Sequence, residues 1–167
     1  MTPAELITDA FERILETATS AVDGLSDEQL TARPAPDANS IAWLVWHLAR
    51  VQDDHVADVA GTEQVWSAQD FDSRFDLPFD SSATGYGMSS EEVGHVRASA
   101  ELLADYLRAV HEATAAYVAG LGPDDLDRVV DERWNPPVTL GARLVSVVND
   151  DAQHAGQASY VRGLVAE

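Results

Sequence analysis

The feature that most constrains the fold is the final run, Val138 to Val165, which has a helical period yet carries ionisable residues on its apolar side. On a wheel of about 100° per residue, Leu140, Leu144, Val147, Ala158 and Val165 cluster together. Asp151 falls inside that cluster, His154 on its flank, and Asp150 just beyond His154. Carboxylates are rarely buried unless they are paired or bound to a metal. A helix of this kind needs neighbours that cover its apolar side and supply partners for its acids.

The rest of the chain reads as those neighbours. Thr2 is an N-cap with Pro3 in the first helical position, and Leu6, Ala10, Ile14, Ala18, Ala21 and Leu25 recur as one apolar stripe. Ser26 to Leu30 reads as a short capped turn, and Pro34 with Pro36 marks a loop. A second long helix starts near Asn39 or Ser40 and runs to about Ala60, where Gly61 stops it. Its first half, Ile41 to Leu48, is apolar nearly all round, which predicts burial on most sides. The run Gln52-Asp53-Asp54 predicts that its second half reaches solvent.

Gly61 to Met88 keeps no period and predicts a long irregular connection between the second and third long helices, with a short helical turn in it. Loops this long are uncommon unless functional, and this one is expected to overhang a site. Its aromatics Trp66, Phe71, Phe75, Phe79 and Tyr86 either form a lid or pack the loop down. Ser89-Ser90-Glu91-Glu92 is a capping signature; the helix behind it is expected to break near Ala98-Ser99 and restart. Leu103, Tyr106, Val110, Thr114, Tyr117 and Leu121 then form a stripe that Gly122-Pro123 ends. Arg128 to Pro137 predicts extended chain, and the last helix starts near Thr139. Four long helices predict an all-α four-helix bundle, a single domain over residues 1–167.

Composition narrows the function. The formal net charge is −19, so the surface repels phosphate backbones and anionic membranes, and no nucleic-acid or membrane partner is expected. No apolar run approaches the ~18–20 residues that span a bilayer, and the first residues lack a signal peptide's basic start, so a cytoplasmic location is expected. The absence of cysteine excludes disulfides, thiolate metal ligands and a protein thiol nucleophile. All 10 basic residues are Arg; with the heavy use of Ala, Val, Asp and Gly this points to a high-GC, actinobacterial type of genome. No G-x-S-x-G elbow and no glycine-rich phosphate loop occur.

What remains is a candidate metal set. An acid and a histidine at i and i+4 sit one turn apart on one helix face and can reach a single cation, as Asp150 and His154 do. His47 lies in the most apolar stretch and needs a partner. Asp54 and His55 are too far along the helix axis to share an ion with it, about 10 Å for seven residues. Together, His47, His154 and an acid make an N/N/O set that leaves positions open for water or substrate. The wheel favours Asp151 as the inward acid, while the i, i+4 spacing favours Asp150. His111 flanks the third stripe and Arg162 sits in the last turn; each is a candidate pocket residue, Arg162 for a carboxylate, with structural roles as the simpler alternative.

Asn39-Ser40-Ile41-Ala42-Trp43-Leu44-Val45-Trp46-His47-Leu48-Ala49 and Asp150-Asp151-Ala152-Gln153-His154-Ala155-Gly156-Gln157, followed by Tyr160-Val161-Arg162, resemble the DinB superfamily. The resemblance extends to members related to the N-terminal domain of mycothiol-dependent maleylpyruvate isomerase. It implies a four-helix bundle whose divalent metal, Zn2+ foremost and Ni2+ second, is held by His47, Asp150 and His154. Asp150 stands where the family usually has His or Glu, and Asp151 becomes an alternate ligand or a partner to a ligand histidine. The family's characterised members activate a low-molecular-weight thiol such as mycothiol for transfer to an electrophile. The resemblance therefore implies a metal-dependent thiol S-transferase acting on a small-molecule substrate. The alternatives are a metal-dependent hydrolase, or a non-catalytic binding or stress-response bundle with a degenerate metal site. Pairing through helix faces would make such a bundle a homodimer.

Overall fold

A computed structural model describes residues 1–166. Four long helices form its frame: α1 (Pro3–Val22), α3 (Ile41–Ala60), α7 (Ala100–Ala119) and α8 (Leu140–Val165). Short helices fill the connections: α2 (Asp27–Thr31), α4 (Val65–Ala68), α5 (Phe71–Phe75) and α6 (Ser90–His95). A 3-10 turn (Pro123–Asp127) leads into a two-stranded antiparallel hairpin, β1 (Val129–Asp131) with β2 (Val138–Thr139), closed through the cis Asn135-Pro136 bond. The architecture is the all-α bundle that the periodicities predict.

The helix starts follow local chemistry. Thr2, Ser26 and Ser89 each accept the N–H three residues on and receive Glu5, Gln29 or Glu92 in return. Ser40, Ser99 and Thr139 cap α3, α7 and α8 with side-chain oxygens. Gly61 ends α3 in the left-handed conformation, φ 68°. The break at Ala98-Ser99 is also present, because Ser99 caps a new helix rather than continuing α6.

Packing sets the order around the bundle as α1, α8, α3, α7, with α1 and α3 on one diagonal and α7 and α8 on the other. Arg162 of α8 reaches the last carbonyls of α1, so these two helices run parallel. Asp53 and Val59 of α3 meet Tyr106 and Tyr117 of α7, so these two also run parallel. Parallel neighbours cannot be joined by a tight turn. The chain between α3 and α7 must therefore climb back along the whole bundle, about 30 Å for 20 helical residues. This return is the structural reason for the long connection, and it carries residues 83–86 past the middle of α3.

The core fills the space between the four helices. Ile14, Ala18, Trp46, Leu48, Leu103, Leu107, Ala155 and Ala158 are all buried in it. Two expectations need correcting. Leu6 is 58% exposed and Phe11 takes its place at 2%, because the apolar face of α1 passes through Ile7 and Phe11 rather than Leu6 and Ala10. Gln52 and Asp53 are buried instead of facing solvent. Gln52 donates to Thr114 of α7, and Asp53 accepts from the backbone N–H groups of Val65 and Trp66 at the start of α4 and from the Tyr106 hydroxyl. Satisfied in this way, polar groups can be buried without a large penalty. Arg50, fully buried, joins the same network: it donates to Gln64, Tyr106 and the Ala83 carbonyl and lies over the Trp66 ring. The crossover is thus tied to α3 along its length. Trp66, Phe71 and Phe75 pack on Tyr106, so most of its aromatics hold the loop down.

Candidate metal centre

The site lies where α3 faces α8, under the crossover. His47 comes from the apolar first half of α3 and is 6% exposed. Asp150 and His154 stand one turn apart on α8. One donor atom from each of the three lies within 4.8 Å of the others. The His47 Nε2 is 3.9 Å from Asp150 Oδ2, and the two imidazole rings meet edge to face at 4.7 Å.

Each ring is oriented by a carbonyl. His47 Nδ1 sits 2.5 Å from the Thr84 carbonyl oxygen. A carbonyl only accepts, so Nδ1 carries the proton and Nε2 keeps its lone pair toward Asp150. His154 Nδ1 donates in the same way to the Asp150 carbonyl at 2.8 Å, leaving its Nε2 free. A hydrogen bond on one ring nitrogen that frees the other for a ligand is the usual support of a metal-binding histidine. Trp43 stacks on His47 at 4.5 Å and 14° and fixes the ring plane. Gly85 closes the far side: a Cβ there would lie 2.6 Å from His47 Nδ1.

The electrostatics fit a cation. Burial lowers the pKa of His47, so it is neutral and ready to coordinate at physiological pH. The close approach of His154, whose Nδ1 lies 3.4 Å from Asp150 Oδ2, holds the Asp150 carboxyl below its ordinary range, against the effect of burial. At His154, burial acts to lower the pKa, but the Asp150 carboxylate and carbonyl outweigh it and leave it raised. Asp150 Oδ2 is buried with no hydrogen-bond partner. Two imidazoles and a carboxylate whose donor atoms lie within 4.8 Å of one another are a donor set that a divalent ion satisfies.

Of the two acids left open by the sequence, Asp150 is the one grouped with the histidines. Asp151 is fully buried on the core side of α8, its two oxygens unpartnered and its pKa pushed well above the ordinary value by burial and by Asp150 beside it. Nor does it support a ligand histidine, since both Nδ1 atoms are engaged by carbonyls. The wheel found the inward residue correctly; the groove where His47, Asp150 and His154 meet, between α3 and α8, lies off that direction.

A cavity of about 600 Å³ opens from His47 and Asp150. Val51, Val138 and Val147 form its apolar wall, and Tyr86 stands at its lip, 94% exposed. Arg143, His55 and Asp54 line its far end. The sequence reading set His55 and Asp54 aside because one ion cannot reach both them and His47, and it missed Arg143. Seven residues before Asp150, Arg143 shares that residue's helix face, which was the available signal. His111 and Arg162 do not line this cavity. His111 is half-buried on α7, and Arg162 donates to the Ala21 and Asp23 carbonyls that end α1. Among the described residues no helix is long and apolar enough to cross a membrane.

Comparison with known proteins agrees with this fold. A conserved protein from Enterococcus faecalis, known from a crystal structure, shares 31% identity and superposes with a TM-score of 0.93. The match covers 99% of this chain and 98% of that one. The comparison with curated proteins gives no match. The family model described as mycothiol-S-transferase matches residues 6–167, which include both histidines and the acid between them. With the bundle, the crossover and nearly the whole length accounted for, this chain belongs to the mycothiol S-transferase family, within the DinB-like superfamily.

Proposed function

We propose that this chain is a metal-dependent thiol S-transferase. His47, Asp150 and His154 hold a divalent ion, Zn2+ before Ni2+, and the partner is a low-molecular-weight thiol of the mycothiol type that reacts with a small electrophile. The observation that carries this reading is the convergence of two imidazoles and a buried, unpaired carboxylate oxygen, with His47 and Asp150 lining a cavity. Family membership supports it.

A divalent ion held by His47, Asp150 and His154 would let a bound thiol lose its proton near neutral pH. The chain's own residues prepare the place. The Thr84 carbonyl and the Trp43 ring hold His47 in one tautomer and one plane. The Asp150 carbonyl does the same for His154. The valine wall keeps water from one side of the cavity, which strengthens charge interactions inside it. The chain has no cysteine, so the reacting sulfur comes from the small molecule.

Elemental analysis of natively purified protein should find close to one divalent ion per chain, and a transfer assay with mycothiol and a generic electrophile should show turnover. His47→Ala should lose the ion and the turnover while keeping its helical content by circular dichroism. Unchanged metal stoichiometry in that variant rules out the assignment. Metal without mycothiol turnover, but with ester or amide hydrolysis, would turn the reading to a hydrolase.

A further inference from the structure

The far end of the cavity holds a polar group that the metal site does not use. Arg143 is one of the 10 cationic side chains in a chain of net charge −19, and its side chain is 18% exposed. Its Nη2 donates to Asp131 Oδ2 at 3.3 Å. That carboxylate is already taken by Arg133, whose Nε and Nη2 donate to its two oxygens at 2.9 and 2.8 Å. Two guanidiniums thus share one carboxylate, and Arg143 is the one that lines the cavity. Arg133 itself is exposed at the surface.

His55 extends the arrangement. Arg143 Nη1 is 3.0 Å from His55 Nδ1. A guanidinium can only donate, so Nδ1 accepts, the ring is neutral, and Nε2 carries the hydrogen. Burial, with Arg143 beside it, also lowers the His55 pKa and keeps it in that form. Arg143 and His55 together present only donors. Asp54 also lines this end of the cavity, 4.0 Å from His55 Nδ1, where it accepts from the Gln64 amide. A donor-only pair that includes a guanidinium complements an acceptor-only group.

From this we infer that Arg143 and His55 form an anion subsite that holds a carboxylate on the small molecule occupying the cavity. Arg143 lies seven residues before Asp150 on α8, about 10 Å along the axis. The ligand class is therefore an acid whose carboxylate and reacting sulfur or carbon are separated by a chain of roughly that span. This rests on the proposed thiol reading for the sulfur end but not for the carboxylate end. The overall field of the protein opposes the assignment, since a strongly negative chain repels anions. Any preference for an acid over a neutral analogue must then come from the local site.

The test is calorimetric titration of the zinc-loaded protein with mercaptohexanoate and with mercaptohexanol. The acid should bind about tenfold more tightly. The advantage should vanish in Arg143→Gln and return in part in Arg143→Lys. Asp131 keeps Arg133 in these variants, so the hairpin retains its ion pair. Equal or weaker binding of the acid by the wild-type protein overturns the subsite whether or not the variants fold. If neither thiol binds, the thiol reading fails, and hexanoate against hexanol tests the subsite without sulfur or metal. Hexanoate binding that Arg143→Gln removes sustains the subsite, and no preference for hexanoate overturns it.

Discussion

Replacing Gly85 with alanine tests the link between the crossover and the candidate metal site. Gly85 has φ 94°, where an L side chain is strained; such strain costs about 1–3 kcal/mol. The added Cβ would lie 2.6 Å from His47 Nδ1 and 3.0 Å from Trp46 Cζ3. Carbon contacts settle near ~3.5–4.0 Å, so loop and imidazole must separate by roughly 1 Å. Trp46 is packed in the core at 1% exposure and gives little, so the movement falls on the loop. That movement breaks the His47–Thr84 hydrogen bond, worth about 1 kcal/mol net. The expected stability loss is about 2–4 kcal/mol in urea denaturation of the metal-free protein. Losing the bond that orients a ligand histidine should weaken metal affinity by roughly 10–100-fold, read by competition with a chelating dye. Gly87 is the internal control: its φ is 73°, but a Cβ there meets nothing within 4 Å. Gly87→Ala should cost about 1–2 kcal/mol through strain and leave metal affinity unchanged. If Gly85→Ala holds metal as tightly as wild type, the Thr84–His47 contact does not support the site and the reasoning fails.

Two further outcomes concern ion pairs, one buried and one at the surface. Arg50→Met should destabilise the protein by about 3–5 kcal/mol, because Asp53 would keep a buried charge without its cation 3.7 Å away; denaturant titration reads this, and a loss under 1 kcal/mol would mean that Asp53 needs no partner. Asp131 has its pKa held well below 3.8 by the hydrogen bonds from Arg133, with Arg143 adding to them. A carboxyl depressed in the folded state stabilises above its unfolded pKa and loses that contribution as pH falls through the folded value. Asp131→Asn should therefore lower the urea midpoint at pH 7, and the gap from wild type should narrow steadily below about pH 4; a gap that stays constant down to pH 2 would contradict the sign.

The sequence by itself determined the elements and most of the candidate site. Caps at Thr2, Ser40, Ser89 and Thr139, and the stop at Gly61, are local hydrogen-bonding chemistry, and they set boundaries without reference to the rest of the fold. The all-round apolar run from Ile41 to Leu48 announced a buried helix, and a histidine inside it announced a partner. The i, i+4 pair Asp150 and His154 was visible because helical spacing is also local.

Only the tertiary structure decided what depends on neighbours distant in sequence. A wheel shows which direction is inward but not which neighbour lies there, so by itself it favoured Asp151, on the core seam, over Asp150. Gln52 and Asp53 read as exposed because their partners, Thr114, Tyr106 and the first N–H groups of α4, lie 12 or more residues away. Arg143, His55 and Asp131 come from three separate elements and meet only when the hairpin folds against α3 and α8. The parallel run of α3 and α7 sends the chain back along the bundle, and that return places Thr84 and Gly85 on His47.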